Sequence, residues 1–270
     1  MPPPEREIYP NAPLEFVVCE LKYPLAPALG DDTLLPGLHR VFRDWLPLVE
    51  AGVETTLVIG AGPGMPPAAT RQFRFMNRER TLSVLVTPTV VSVESTDYSR
   101  YEELRASVAR AIDALHQTDA RIVGITRIGL RYIDEVRVAA QTEVTWADYI
   151  DEKLSAPLSL TLGGHPPALT QGTAQFDLGD ARHVVMRYGA RNGQAVGNAP
   201  LRRRRADQHG AFFLIDIDSY WASDDPAVEF DADAALEVCD NLHGPIRELF
   251  EASITNRLRD DVLRRVEHAD

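Results

Sequence analysis

Two arginines and two aspartates have residue types and spacings suited to a site for a charged ligand. Arg127 and Arg131 lie four residues apart on one predicted strand, and Asp216 and Asp218 lie two apart on another. Residues an even number of positions apart share one face of a strand. An arginine cluster binds carboxylates or phosphates, whereas paired carboxylates hold a divalent cation or divide acid and base roles.

Gly129 and Arg187 extend this cluster. Gly129 stands between the two arginines, where its lack of bulk lets a ligand or another backbone approach. Arg187 joins the cluster if its predicted strand lies nearby. Two interpretations are open: a binding site for a small anion, or internal ion pairs of these arginines with the aspartates or with Glu135. The aspartate pair has no third ligand nearby in sequence, so neither a metal nor a cofactor is predicted.

Four consecutive arginines form the second candidate contact region. Arg202, Arg203, Arg204 and Arg205 lie in the segment 191–210, which is rich in Gly, Asn and Pro. A loop of this length is usually functional or disordered. Its arginines suit phosphates or an acidic protein surface. A solvated loop is the simpler interpretation, because the chain is acidic and no aromatic residues interrupt the run.

A glycine-rich turn at Gly60-Ala61-Gly62-Pro63-Gly64 follows an apolar strand. Such a turn cradles a phosphate when a helix begins directly after it. Pro66 and Pro67 disfavour that helix, and no Gly-Lys-Ser/Thr motif is present. A flexible loop is therefore the preferred interpretation.

The cysteines and histidines show no ligand spacing. Cys19 and Cys239 match neither a metal site nor a disulfide framework and are interpreted as small core residues in a reducing cytoplasm. The histidines are scattered. His243 is singled out because Gly244-Pro245 follows it inside a predicted helix, where proline should cause a kink or a break.

The first half of the chain supplies one set of elements to position these residues. Hydrophobic periodicity predicts strands at 14–23, 54–60, 71–77, 82–87, 90–95 and 121–138, and helices at 35–50 and 99–117.

The strand at 121–138 alternates clearly. Ile128, Leu130, Tyr132 and Val136 share one face with Asp134, and the other face carries Arg127, Arg131, Glu135 and Arg137. One face is therefore predicted to be apolar except for a single aspartate.

The second half repeats the pattern in outline. A short helix at 145–153 precedes strands at 158–162, 172–178, 182–190 and 211–221 and a long helix at 231–262. The predicted fold is α+β with two similar halves, 1–140 and 141–270, each an antiparallel sheet packed by a long amphipathic helix. The two halves pack together as one body.

Composition excludes several classes of protein. The 270 residues carry a net charge of −12 and are 44 % hydrophobic, which is ordinary for a globular protein. No apolar run is long enough to cross a membrane, and the N-terminus does not read as a secretory signal. Thirteen acidic residues against five arginines after residue 223 disfavour general binding to nucleic acid.

Three stretches carry a resemblance to known proteins. They are Ile8-Tyr9-Pro10-Asn11-Ala12-Pro13-Leu14, Arg127-Ile128-Gly129-Leu130-Arg131-Tyr132-Ile133, and Leu242-His243 followed by Phe250-Glu251-Ala252-Ser253-Ile254-Thr255. Their order and spacing resemble a sporadically distributed family of conserved hypothetical bacterial proteins of similar length. The resemblance implies a bacterial origin and no residue roles. Gly244-Pro245 departs from the uninterrupted helix that it implies.

These features favour a non-enzymatic bacterial cytoplasmic protein that binds another protein or assembles with itself, because no nucleophile–base pair or metal constellation is visible. The first alternative is a protein or enzyme that takes a small anionic ligand in a cleft between the halves, where Arg127, Arg131 and Arg187 would face Asp216 and Asp218. The second alternative is a nucleic-acid-associated protein that uses the arginine run. A membrane partner is not expected.

Overall fold

A computed structural model describes residues 7–56, 68–138, 144–197, 200–205, 209–225 and 228–265. The predicted glycine-rich turn at residues 60–64 lies outside the described residues.

Nine strands form a single antiparallel sheet with the order β2-β3-β4-β5-β1-β6-β9-β8-β7. The strands are β1 (Leu14–Lys22), β2 (Leu48–Thr56), β3 (Ala68–Met76), β4 (Leu82–Val86), β5 (Val90–Ser95), β6 (Arg127–Val136), β7 (Gly172–Gly179), β8 (Arg182–Asn192) and β9 (Ala211–Ala222). Strands β2 to β5 form a meander, and β1 lies between β5 and β6 and pairs with both.

Helices connect and follow the strands. They are α1 (Leu35–Phe42), α2 (Tyr101–His116), α3 (Glu152–Ser155), α4 (Ala232–Ser253) and α5 (Asn256–Leu258). Short 3-10 turns cover Pro27–Gly30, Asp32–Leu34, Trp146–Asp148 and Ala156–Ser159, and a π-helical turn covers Arg259–Leu263. No helix in the described ranges is long and apolar enough to cross a membrane.

The core lies between the sheet and the helices α2 and α4. Leu104, Val108 and Ile112 repeat at helical spacing along the buried stripe of α2. Cys19 on β1 and Cys239 on α4 are both buried, and their sulfur atoms lie 3.6 Å apart. The two cysteines are core residues as predicted, but they also meet, which the sequence did not indicate.

The prediction of two similar halves, each with its own sheet and long helix, is wrong. Strand β6 of the first half pairs with β9 of the second along its whole length, from Arg127 opposite Ala222 to Val136 opposite Phe213. The sheet is therefore continuous across residue 140. The first half contributes six strands and the second three. The prediction rested on the similar order of strands and helices in the two halves. That order does not show which strands pair, so it cannot distinguish two sheets from one.

Several predicted elements also change. The helix predicted at 35–50 ends at Phe42, and residues 48–56 form β2 instead. The strand predicted at 158–162 does not form. Its apolar residues Leu160 and Leu162 are 68 % and 86 % exposed, since no neighbouring strand covers them.

Helix α4 ends at Ser253, nine residues before its predicted end at residue 262. It continues through Pro245 without the predicted break and stops at Ser253. Ile254 then adopts an extended conformation and bridges to Ile150, and the Thr255 amide donates to the Tyr149 carbonyl. The helix ends here because the backbone after Ser253 pairs with residues 149–150 instead of continuing the helix. The local sequence does not indicate this pairing.

Candidate ligand-binding site

The structure brings all five predicted site residues onto the sheet face opposite α2 and α4. At the centre, the Arg131 guanidinium donates two hydrogen bonds of 2.7 Å to the carboxylate of Asp216. Arg187 lies 3.7 Å from the same carboxylate. The hydrogen bond to Asp216 raises the pKa of Arg131 above its ordinary value, which stabilises the charged pair.

Arg127 is the third arginine of this cluster. We call Arg127, Arg131, Arg187, Asp216 and Asp218 together the charge ladder. Arg127 donates to Asp218 at 3.2 Å and to Glu20 at 2.8 Å. Its guanidinium lies over Gly129, where an added Cβ would come within 2.3 Å of it, and over the ring of Tyr220. The glycine therefore makes room for Arg127 itself rather than for a ligand.

The ladder is closed to a small anion. Each arginine in it already faces a carboxylate, and burial raises the pKa of Asp218 even though Arg127 opposes that effect. The five residues line neither of the cavities described below. Internal ion pairing, the second interpretation from the sequence, is the arrangement found.

The four-arginine run is divided between the interior and the surface. Arg202 is exposed, and the Arg204 side chain is 53 % exposed. The side chain of Arg203 is only 1 % exposed, and that of Arg205 is 22 % exposed. The run therefore does not present four cations to one partner, as the nucleic-acid interpretation requires.

Arg203 and Arg205 stabilise the end of the sheet. Arg203 donates to both carboxylate oxygens of Glu135, at 3.0 and 2.8 Å, and lies 2.9 Å from Glu15. Arg205 donates to Glu15 at 2.9 Å. Burial acts to raise the pKa of Glu135, but hydrogen bonds from Arg203 and Arg137 hold it below its ordinary value. These ion pairs attach residues 203–205 to β1 and β6.

One cavity on the described surface, about 740 Å³, is lined mostly by small neutral side chains between Val144 and Ala211. Its two charged lining residues are Glu152, which is exposed, and Arg191, which is partly exposed. The Nε of Arg191 is buried without a hydrogen-bond partner in the described residues, but the lining holds no buried carboxyl group.

The second cavity, about 400 Å³, lies on the helix side of the sheet. Its walls are the segment 7–14, the residues 98–102 at the start of α2, strand β6 and helix α4. Six ring side chains line it, namely Tyr9, Tyr98, Tyr101, Tyr132, His243 and Phe250, and charged residues complete the lining. Its size and its ring-lined walls with a few polar groups are those of a small-molecule site.

Asp134 is the decisive residue of this cavity. It is 5 % exposed, lines the cavity from β6, and lies opposite Leu14 of β1 and Ile215 of β9. No hydrogen bond among the described residues reaches its carboxyl group. Burial, assisted by the charges of Asp216 and Glu15, raises its pKa to about 8. A buried carboxyl group without a partner is costly, so its presence in a cavity indicates a functional role.

Stacked rings form the walls beside Asp134. The rings of Tyr101 and His243 stack with centroids 4.1 Å apart, and Tyr132 meets His243 edge to face at 6.0 Å. The hydroxyl of Tyr132 donates to that of Tyr98 over 3.1 Å. These contacts fix the rings, so the cavity is largely preformed.

Two other acidic groups of the lining, Glu7 and Glu251, are paired within the protein. Glu251 accepts hydrogen bonds from Arg259 at 2.9 Å and from Tyr9 at 3.1 Å. Glu7 accepts from Arg264. Asp134 thus differs from both carboxylates in lacking a cation of its own.

No protein-family model matches this chain, and no curated protein matches its sequence. The family resemblance stays a prediction. The three stretches meet in space, since most of residues 8–14 line the second cavity together with Tyr132, His243 and Phe250.

The sequence contained two signals for this site, Asp134 and His243. Asp134 interrupts the apolar face of its strand, and this face is buried against α4. His243, singled out for its place beside Pro245, lies in the same cavity. Tyr9 and Tyr98, which resemble packing residues in sequence, line it as well. Their convergence depends on the segment 7–14 crossing β6 and α4, which no local pattern specifies.

Proposed function

We propose that this protein binds a small molecule in the cavity around Asp134. The observation that carries the proposal is a carboxyl group that is buried, lacks a hydrogen-bond partner in the described residues and faces a ring-lined space of about 400 Å³. A ligand would supply the missing partner. This proposal keeps the small-ligand alternative from the sequence but moves its site from the charge ladder to the opposite side of the sheet.

A bacterial cytoplasmic setting forms part of the proposal. Two reduced cysteines with sulfur atoms 3.6 Å apart in the core support a reducing compartment. Binding to another protein, self-assembly and membership of the resembling family stay predictions without a specific observation behind them.

Filling the cavity tests the proposal. Leu14 lines it and lies opposite Asp134 in the sheet, so Leu14→Trp would occupy the space next to the carboxyl group. Ligand-observed NMR with a library of small metabolites should identify compounds that bind the wild type at millimolar to micromolar Kd. Leu14→Trp should weaken their binding by at least about tenfold, since the new ring takes their volume.

Val53→Trp is the matched control. Val53 is 52 % exposed on the edge strand β2, so the same substitution adds a ring far from the cavity. Every compound should bind this variant as it binds the wild type. Equal binding to Leu14→Trp and the wild type, or a library without a single binder, would overturn the proposal.

A further inference from the structure

We propose that the ligand carries a positively charged nitrogen and that Asp134 receives this nitrogen at the buried side of the cavity. This inference rests on the proposed binding function and names the chemical class of the ligand. The expected ligand class is an organic amine or ammonium ion with an apolar body.

The charges around Asp134 support a cation. Glu15 and Asp216 act on it with the same sign, and Arg205 is the cation that opposes them. Arg205 is committed to Glu15 at 2.9 Å, to Asn11 and to the Ala12 carbonyl. Glu15 and Asp216 are each paired with arginines, so Asp134 is the carboxyl group left without a cation of its own. An incoming cation would pair with this carboxylate.

The rings beside Asp134 favour the same ligand. Tyr98, Tyr101 and Tyr132 surround the space, and their faces attract an ammonium group while their edges pack against an apolar body. The Tyr98 and Tyr132 hydroxyls hydrogen-bond each other, which orients both rings. Aromatic walls with one buried acid form a typical arrangement for recognising an organic cation.

Two of the three arginines of the lining lie at the exposed rim of the cavity, and the third, Arg247 on α4, is partly buried. Arg100 is 59 % exposed and lies 3.4 Å from Glu103, and Arg204 is 53 % exposed and lies 3.6 Å from Asp97. Both are at the rim of the cavity. The buried end presents Asp134, so the cationic end of the ligand should point inward.

Binding of a cation should be linked to proton release. Burial raises the pKa of Asp134 to about 8, so the empty site holds mostly the neutral acid near pH 7, whereas an ammonium group needs the carboxylate. Affinity should rise about tenfold per pH unit from pH 6 toward pH 8, because a growing fraction of Asp134 is ionised. It should then level off, since Asp134 is already ionised and the alkyl ammonium stays charged throughout. The other ionisable groups around the cavity are Glu7, Tyr9, Glu15, Tyr98, Arg100, Tyr101, Glu102, Tyr132, Arg204, Arg205, Asp216, His243, Arg247 and Glu251.

Three probes that share one framework test the inference by isothermal titration calorimetry on the full chain. Phenethylamine is cationic, 2-phenylethanol is neutral and phenylacetate is anionic. Phenethylamine should bind at least about tenfold more tightly than either of the others. Asp134→Asn should remove this preference by weakening phenethylamine alone. Asp113→Asn, the same chemical change on the exposed side of α2, should leave all three affinities unchanged.

The outcomes separate this inference from the proposed function. Equal or tighter binding of 2-phenylethanol or phenylacetate, with loss in Leu14→Trp, would overturn the cation inference and leave the cavity as a binding site. Unchanged phenethylamine affinity in Asp134→Asn, or no phenethylamine binding up to about 10 mM, would overturn the inference as well. The proposed function itself would be overturned only if no library compound bound the wild type, or if Leu14→Trp bound the compounds as well as the wild type does.

Discussion

Asp134→Asn is expected to make the ligand-free protein more stable, by about 4 kcal/mol near pH 7. The reason is the raised pKa of Asp134, about 8 in the folded chain against an ordinary value of 3.8. The unfolded chain loses this proton above about pH 4, whereas the folded chain retains it until about pH 8. Folding is therefore opposed increasingly as pH rises through this window. Asparagine has no proton to lose and escapes the penalty.

Urea unfolding at several pH values measures the effect. The stability difference between Asp134→Asn and the wild type should be below about 1 kcal/mol near pH 4 and should grow up to about pH 8. Asp113→Asn should stay within about 0.5 kcal/mol of the wild type throughout. A variant that is less stable than the wild type at pH 7, or a difference that does not change with pH, would show that Asp134 is ionised and satisfied in the folded protein.

Arg203→Met should be the most damaging single change in the arginine run. The Arg203 side chain is 1 % exposed and lies between Glu135 and Glu15, whose side chains are 0 % and 1 % exposed. Removing the guanidinium leaves buried carboxylates short of a partner, which costs about 3–5 kcal/mol. Arg137 and Arg205 still reach one glutamate each, so the protein should remain folded in mild conditions.

Arg204→Met, one residue away, is the control for this prediction. Its guanidinium is half exposed and 3.6 Å from Asp97, so its loss should cost less than about 1 kcal/mol. Thermal or urea unfolding of both variants measures the contrast. Similar stabilities for the two would contradict the division of the run into an inward and an outward pair.

How much of the molecule the sequence predicts depends on whether a feature is local. Alternation in β6 assigned Asp134 and Arg131 to opposite faces, and the ion pair of Arg131 with Asp216 agrees with it. Periodicity predicted α2 to within two residues at each end. These features depend on the side-chain period of a single element.

Features that depend on distant pairing were missed. The end of α4 is set by Ile150, about a hundred residues away in the chain, and the arginine run folds inward because Glu15 and Glu135 meet at the end of the sheet. The cavity needs the segment 7–14 beside α4. A pattern within one segment carries no information about which other segment packs against it. Alternation therefore assigns Asp134 to a face of its strand but does not predict the cavity.

A crystal structure of the protein soaked with phenethylamine is the most direct test of the central claim. The ligand should lie in the cavity between segment 7–14, β6 and α4, with its ammonium nitrogen about 2.7–2.9 Å from a carboxylate oxygen of Asp134 and its ring against the tyrosines. Density for the ligand only elsewhere on the protein, or a ligand in the cavity with its ammonium group directed to solvent, would contradict it.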